Sequence, residues 1–160
     1  MNCNDSVFPI NIKESNKTGL CKTKCNFECD YHNSACTATN KGSYIHLSYD
    51  VVKIPPAKLN DISLDVKEIR IYAPSLHSYE GVKMDGEMII IHKGFGKSVA
   101  LCIPIKINND DDSILNEIVD KSSNVIPNED EITALSLSDY NLANFVPLNT
   151  PFVHYTGNVP

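Results

Sequence analysis

Tryptophan is absent from this 160-residue chain, and basic residues are scarce: 14 Lys and Arg stand against 20 Asp and Glu, for a formal net charge of −6. The basic residues are scattered, with only a mild grouping across Lys13–Lys24. Nucleic acid, anionic lipid and sulfated glycan all call for clustered Lys and Arg, so the acidic balance disfavours them as partners. No apolar run approaches the roughly 20 residues that cross a bilayer as a helix, so no transmembrane segment is expected. No basic stretch followed by an apolar one is visible near Met1, which is the pattern of a secretory signal. Internal repeats, a phosphate-binding loop, a Ser–His–Asp pattern and a dinucleotide fingerprint are missing too. Gly94-Phe95-Gly96 lacks the third glycine and the following helix, and reads as a hairpin turn.

What is present is an ordinary globular composition, 42% hydrophobic and 21% charged, in a chain long enough to bury a core as one domain spanning 1–160. The periodicity is mainly that of strands. Ile45, Leu47 and Tyr49 alternate with Tyr44, His46 and Ser48, which predicts a strand over 43–52, broken by Pro55-Pro56. Residues 64–73 and 86–92 read as strands, the second apolar on both faces and therefore central. Residues 98–107 form another, in which Pro104 demands an edge or a bulge. Asp110-Asp111-Asp112-Ser113 is expected to cap a short helix with Ile114, Leu115, Ile118 and Val119 on its apolar face. Residues 122–133 read as loop and 135–142 as a helical turn.

Four of the six cysteines, Cys21, Cys25, Cys29 and Cys36, bracket His32. A structural zinc site is one reading of this cluster, although its spacing differs from paired zinc knuckles. Disulfides and unpaired thiols are the competing readings, six cysteines allowing fifteen pairings. Cys102 falls in a strand and reads as core.

Residues Ile69-Arg70-Ile71-Tyr72-Ala73-Pro74-Ser75-Leu76-His77 and Glu87-Met88-Ile89-Ile90-Ile91-His92 carry the most information. They resemble the two zinc-site strands of the α-type carbonic anhydrases, Phe-His-Phe-His with its Pro-Ser-Glu-His turn and Glu-Leu-His-Leu-Val-His. Val7–Ile12, Asn40–Asp50, Val99–Ile105 and Asn141–Gly157 resemble further stretches of that family in the same order. The resemblance implies a mainly β, α+β fold: a twisted, mostly antiparallel sheet with short peripheral helices. Family members continue beyond the stretch matched by Tyr155-Thr156-Gly157, so the expected domain is truncated at its C-terminal side, and an uncovered sheet edge is expected to be paired or covered by another chain or by the rest of this one.

The positions matching the three metal histidines hold Arg70, Tyr72 and Ile89. Two imidazoles two residues apart on one strand face can meet one tetrahedral zinc. Arg has no lone pair to offer, and Ile has no ligand atom at all. The resemblance therefore implies a frame without its catalytic metal: no cofactor, no hydratase activity, and Glu87 and His77 left as the remnant support of a vanished site. Arg70 is expected to fill the vacated space, paired to Glu87, or else to point to solvent. Leu76 replaces a Glu that in the family orients the metal hydroxide. Non-catalytic relatives occur in animal receptors and in particles of large DNA viruses. With the Asn, Lys, Asp and Ile bias, this suggests a virus particle component, capsid or surface, acting through contacts with other protein chains. Otherwise the expected location is extracellular or cell-surface-associated. Three alternatives remain: a zinc hydratase with a site rebuilt from His46 and Tyr72, a host-surface attachment protein binding a glycan, and a small secreted cysteine-rich binding domain.

Overall fold

The computed structural model describes residues 8–17, 19, 26–107, 128, 130, 132–135, 140–147 and 150–157. The predicted helix over 113–119 and the cysteines Cys3, Cys21 and Cys25 lie outside them. In chain order the strands are β1 (Asn11–Ile12), β2 (Phe27–Cys29), β3 (Cys36–Asn40), β4 (Ile45–Leu47), β5 (Ala57–Leu59), β6 (Ile62–Tyr72), β7 (Ser78–Tyr79), β8 (Val82–Lys83), β9 (Gly86–Gly94), β10 (Lys97–Ile105) and β11 (Ile132–Leu135). Among the described residues the main sheet runs β10-β9-β6-β4-β3-β11, with β5 paired to β6 and β2 to β5. Every pair in it is antiparallel; the parallel pair, β1 with β7, belongs to a small separate sheet with β8. The mainly β, mostly antiparallel expectation therefore holds.

Alternation sorts the side chains of β4, β6 and β9 onto two faces. Ile45, Leu47, Ile69, Ile71, Met88 and Ile90 turn to one side and join Tyr31, Cys36, Ala38, Tyr140, Leu142 and Val146 in the larger core. Each fully buried aliphatic side chain there stabilises the fold by about 2 kcal/mol. Tyr72, Ile89 and Ile91 turn to the other side, with Phe8, Tyr44, Leu76, Ala100 and Cys102 packed against them. β9 is buried from Gly86 to His92, because β6 and β10 flank it and both its faces are covered.

Two predicted elements differ. The strand expected over 43–52 is only Ile45–Leu47. Beyond it one backbone bond remains, Ser48 N–H to Thr37 O at 2.9 Å, and side chains take the facing donors: Thr37 N–H donates to Ser48 Oγ at 2.8 Å and Ala35 N–H to Asp50 Oδ2 at 2.9 Å. Sheet pairing is thus relieved of those donors, a competition that Ser and Asp often win. Of the helical turn expected over 135–142, Leu135 ends β11 instead, residues 136–139 lie outside the described residues, and a 3₁₀ turn comes at Leu142–Asn144. Asn141 caps it, its side chain accepting from Ala143 N–H at 2.9 Å.

The β9–β10 hairpin turns as predicted at Gly94-Phe95-Gly96. Phe95 (φ 48°) and Gly96 (φ 73°) are both left-handed, the signature of a two-residue type I′ turn. Gly94 and Lys97 then close the ladder. Counting in twos from that pair, Ser98, Ala100, Cys102 and Pro104 aim their backbone groups away from β9. Pro104, which has no N–H, thus sits where no ladder bond is lost, and β10 is an edge of the sheet among the described residues. Gly94 is required by contact: a Cβ there would lie 2.1 Å from the Ser63 carbonyl oxygen of β6. Gly94→Ala must push two central strands apart. We expect it to cost about 3 kcal/mol, read as a lower denaturant midpoint with an unchanged slope in urea unfolding.

Candidate functional site

Register places the three positions of interest on one patch. Arg70 of β6 lies directly across from Ile89 of β9, and Tyr72 lies across from Glu87. His46 of β4 is across from Arg70 on the far side, and Cys102 of β10 is across from Ile89. One row across the sheet therefore reads His46, Arg70, Ile89, Cys102, and the row beside it holds Tyr72, Glu87 and Pro104. Arg70, Tyr72 and Ile89 do share one face of two adjacent strands, the disposition that three metal ligands would need.

The side chains found there do different chemistry. The Arg70 guanidinium donates from Nη2 to Glu68 Oε2 at 2.8 Å, and its Nη1 lies 3.4 Å from the Tyr72 hydroxyl. Its carbon stands 5.0 Å from the centre of the Tyr44 ring, within cation–π reach. Tyr44 O–H donates in turn to Glu68 Oε1 at 3.3 Å. The expected pairing of Arg70 with Glu87 is therefore incorrect. Glu68, two residues earlier on the same strand face, is nearer than a carboxylate on the next strand. The hydrogen bond from Arg70 holds the Glu68 carboxyl below the usual range against the opposing effect of burial. Ile89 is fully buried and brings only hydrocarbon. Leu76 packs on the same apolar cluster.

Glu87 is occupied elsewhere. It is fully buried, and Oε2 accepts the backbone N–H groups of Leu76 and His77 at 2.8 and 3.0 Å. Oε1 lies 2.6 Å from His77 Nδ1, and His77 Nε2 lies 2.5 Å from the Tyr155 hydroxyl. An ionised carboxylate only accepts, so Nδ1 carries the ring proton, and Nε2 accepts from Tyr155. Burial pushes the Glu87 carboxyl upward, but the hydrogen bonds from the His77 ring, His77 N–H and Leu76 N–H outweigh it and hold the group below its ordinary value. Phe8 meets the His77 ring edge-on at 4.8 Å and stacks beside Tyr155 at 6.5 Å. Ser75 fixes the turn, its Oγ donating to His77 O at 2.6 Å and accepting Met84 N–H at 2.9 Å.

His77, Glu87 and Cys102 bring donor atoms within 4.8 Å of one another. Both nitrogens of His77 are already bonded, however, and so are both oxygens of Glu87. The Cys102 thiol is pushed up to about 12, by burial first and by the Glu87 charge second, so it is not the thiolate a metal requires. The cluster is a closed hydrogen-bonded hub. A catalytic zinc does not fit the patch beside it either: of Arg70, Tyr72 and Ile89 only Tyr72 offers a lone pair, and a metal would meet a guanidinium cation. His46 belongs to no group of three His, Cys, Asp or Glu donors among the described residues.

The described members of the cysteine cluster do not converge as metal ligands. Cys29, on β2, and Cys36, on β3, carry unpaired thiols, as does Cys102. Burial pushes the Cys36 thiol up to about 11, a bond with Tyr140 opposing it; burial raises that of Cys29 also, against a bond with Tyr31. His32 instead pairs its Nδ1 with the Tyr49 hydroxyl at 2.8 Å. No group of three such donors among the described residues includes Cys29, His32 or Cys36.

No family model matches the sequence, and neither does any curated protein. Solved structures do. Carbonic anhydrase Cah3 from Chlamydomonas reinhardtii, in complex with acetazolamide, superposes with a TM-score of 0.72 at 16% identity, covering 92% of this chain and 62% of that one. The Photobacterium profundum α-carbonic anhydrase gives 0.71 at 16%, covering 91% and 63%. The Thermovibrio ammonificans enzyme, complexed with sulfanilamide, gives 0.69 at 19%, covering 89% and 60%. The chain has the α-carbonic anhydrase fold. It spans about 60% of the length of these carbonic anhydrases.

Three residues of this neighbourhood were not singled out from sequence. Glu68 was findable, because a period of two puts it on the face of Arg70. Tyr44 and Tyr155 come from remote segments, and only the register of β4 and the course of residues 150–157 bring them in.

The hub makes a pH-dependent contribution to stability. A carboxyl held below its ordinary 4.5 stabilises the fold at neutral pH, and that contribution is lost as pH falls through and below this value. Glu87→Gln should therefore cost about 2–3 kcal/mol at pH 7, with the gap to the parent chain narrowing below pH ~4.5. Urea denaturation at several pH values measures both.

Proposed function

We propose that this chain is a non-catalytic, carbonic-anhydrase-like binding or structural protein, a virus particle component that works through contacts with other protein chains. The observation that carries the reading is the chemistry of one patch. Where three neutral imidazoles would be needed, the chain presents a guanidinium already bound to Glu68, a phenol and a buried isoleucine. Acidified water at neutral pH depends on a metal with three protein ligands and an open position, and this donor set supplies neither. Without it the fold retains its surfaces and, among the described residues, an edge strand, which suit binding.

The edge strand β10 supports a role in contact. Its outward N–H and C=O groups are a template for pairing, shortened at one end by Pro104. A second chain, or further residues of this one, would satisfy them. The acidic charge favours protein over sulfated glycan as partner. The particle assignment rests on analogy with non-catalytic relatives and on compositional bias. It would place the chain in a virion.

Zinc content and carbon dioxide hydration test the reading together. The purified chain should hold no stoichiometric zinc by elemental mass spectrometry and should hydrate carbon dioxide no faster than buffer. One zinc per chain with sulfonamide-inhibited hydration would overturn the non-catalytic reading. The complementary variant restores donors: Arg70→His, Tyr72→His and Ile89→His together should gain zinc binding that none of the single substitutions shows, because the shared face is already in place.

A further inference from the structure

His92 is fully buried, and it sits where the sheet closes on itself. Along the ladder, β2 is three pairings from β9, through β5 and β6. In a flat sheet that spacing is about 14 Å. The sheet curls instead, and the arm that ends in β2 folds over one face of β9. The Phe27 ring meets the His92 ring edge-on at 5.6 Å, and the Tyr31 hydroxyl lies 2.8 Å from His92 Nε2. The Ile90 and Val99 carbonyls act on the ring as acceptors, although neither makes a well-formed bond to Nδ1. The ring proton therefore sits on Nδ1, and Nε2 accepts from the Tyr31 O–H. This bond is a polar clasp between the arm and β9.

No described residue around the clasp can balance a charged imidazole. Alternation turns Phe27, Cys29 and Tyr31 inward and leaves Glu28 and Asp30 exposed. Cys29 bonds to Tyr31; Tyr49 meets the Tyr31 ring at 6.4 Å and pairs with His32 beyond it. Burial above all raises the Cys29, Tyr31 and Tyr49 groups past their ordinary ranges, so they stay neutral in acid. Val66 of β6 and Val99 of β10 lie across from His92. Lys97, next on that face of β10, is exposed, as is Lys58 of β5, and Asp65 and Lys93 lie across from each other on the opposite face. Burial accordingly pushes the His92 ring down to about 4, the two carbonyls opposing it. We propose that protonation of His92 opens this clasp and releases residues 26–32 from β9 while the central strands stay paired. The fold thus carries an acid-operated joint, on the face of β9 opposite Ile89 and Ile91, whether or not the chain is catalytic. In the open arm the ring titrates near its ordinary 6.5, so closure is fully favoured above that value and weakens as pH falls toward 4.

Hydrogen exchange read by mass spectrometry on the whole chain tests it. Between pH 7 and pH 4, the open fraction of residues 26–32 should rise on the order of a hundredfold once the intrinsic exchange rate is divided out. β6 and β9 should keep their protection. His92→Gln retains an acceptor for the Tyr31 O–H without a titrating ring, and should remove the rise. The ring itself gives a second readout. In NMR of the parent chain, His92 should be neutral at pH 6 and should charge only as residues 26–32 lose protection. An arm that stays protected down to pH 4 would overturn the proposal, and so would the same acid opening in His92→Gln. Should that variant not fold, a His92 ring that charges near its ordinary value beneath a protected arm overturns it equally. Loss of β6 and β9 protection in the same step would mean global unfolding and no joint.

Discussion

The fold is organised around one buried carboxylate. Glu87 sits at the end of the central strand β9, with no exposure. An ionised carboxyl there, stripped of water, would cost several kcal/mol if left unpaired. Three donors prevent that, and they come from the turn that follows β6: two backbone N–H groups and the His77 ring. Tyr155 completes the chain from the far end of the sequence. A single charge thus fixes the turn at residues 73–77 against β9 and holds residues 150–157 in place. Charge-assisted bonds of this kind are about twice as strong as neutral ones, and here they close three segments that hydrophobic burial alone would leave free to slide.

Next to this hub the sheet follows rules that leave little choice. Gly94 lets β9 approach the Ser63 carbonyl. The type I′ turn sets the phase of β10, and the phase decides that Pro104 faces outward. These local requirements agree with one another, and the strand order follows from them. The bulge in β6 between Val66 and Glu68 is the one irregularity in this central ladder. It leaves the Glu68–Arg70–Tyr72 alternation in step beyond it, so the three side chains stay on one face.

Much of this was legible before any coordinates. The strands at 64–73, 86–92 and 98–107 were readable because each carries several consecutive apolar or alternating residues, and Gly94-Phe95-Gly96 because turns have strong local chemistry. That Arg70, Tyr72 and Ile89 share one face was legible through family resemblance and the period of two. The short strands β2, β5, β7 and β8 were not, because two or three residues carry too little periodicity. The partner of Arg70 was misjudged for a different reason. Resemblance directed attention to Glu87, the carboxylate next to the positions that match the family's metal ligands, whereas the nearer competitor Glu68 lay two residues away on the same strand. Proximity along a strand face was the stronger constraint, and Glu87 was already committed to three donors.

That commitment also explains how a frame of this kind can stand without a metal. Where a zinc ion ties ligands together, its removal leaves buried donors unpaired, and each costs about 1–3 kcal/mol. Here Ile89 creates no such debt. Ile89 adds the burial of an aliphatic side chain, worth about 2 kcal/mol, at a position that would otherwise hold a polar ring. Arg70 brings a charge, but Glu68, Tyr44 and Tyr72 surround it and neither member of the ion pair is deeply buried, so its desolvation is partial. Glu87 keeps its three donors whether or not an ion is nearby. The polar centre and the apolar face therefore stand as two independent supports, and substitution at the second leaves the first intact.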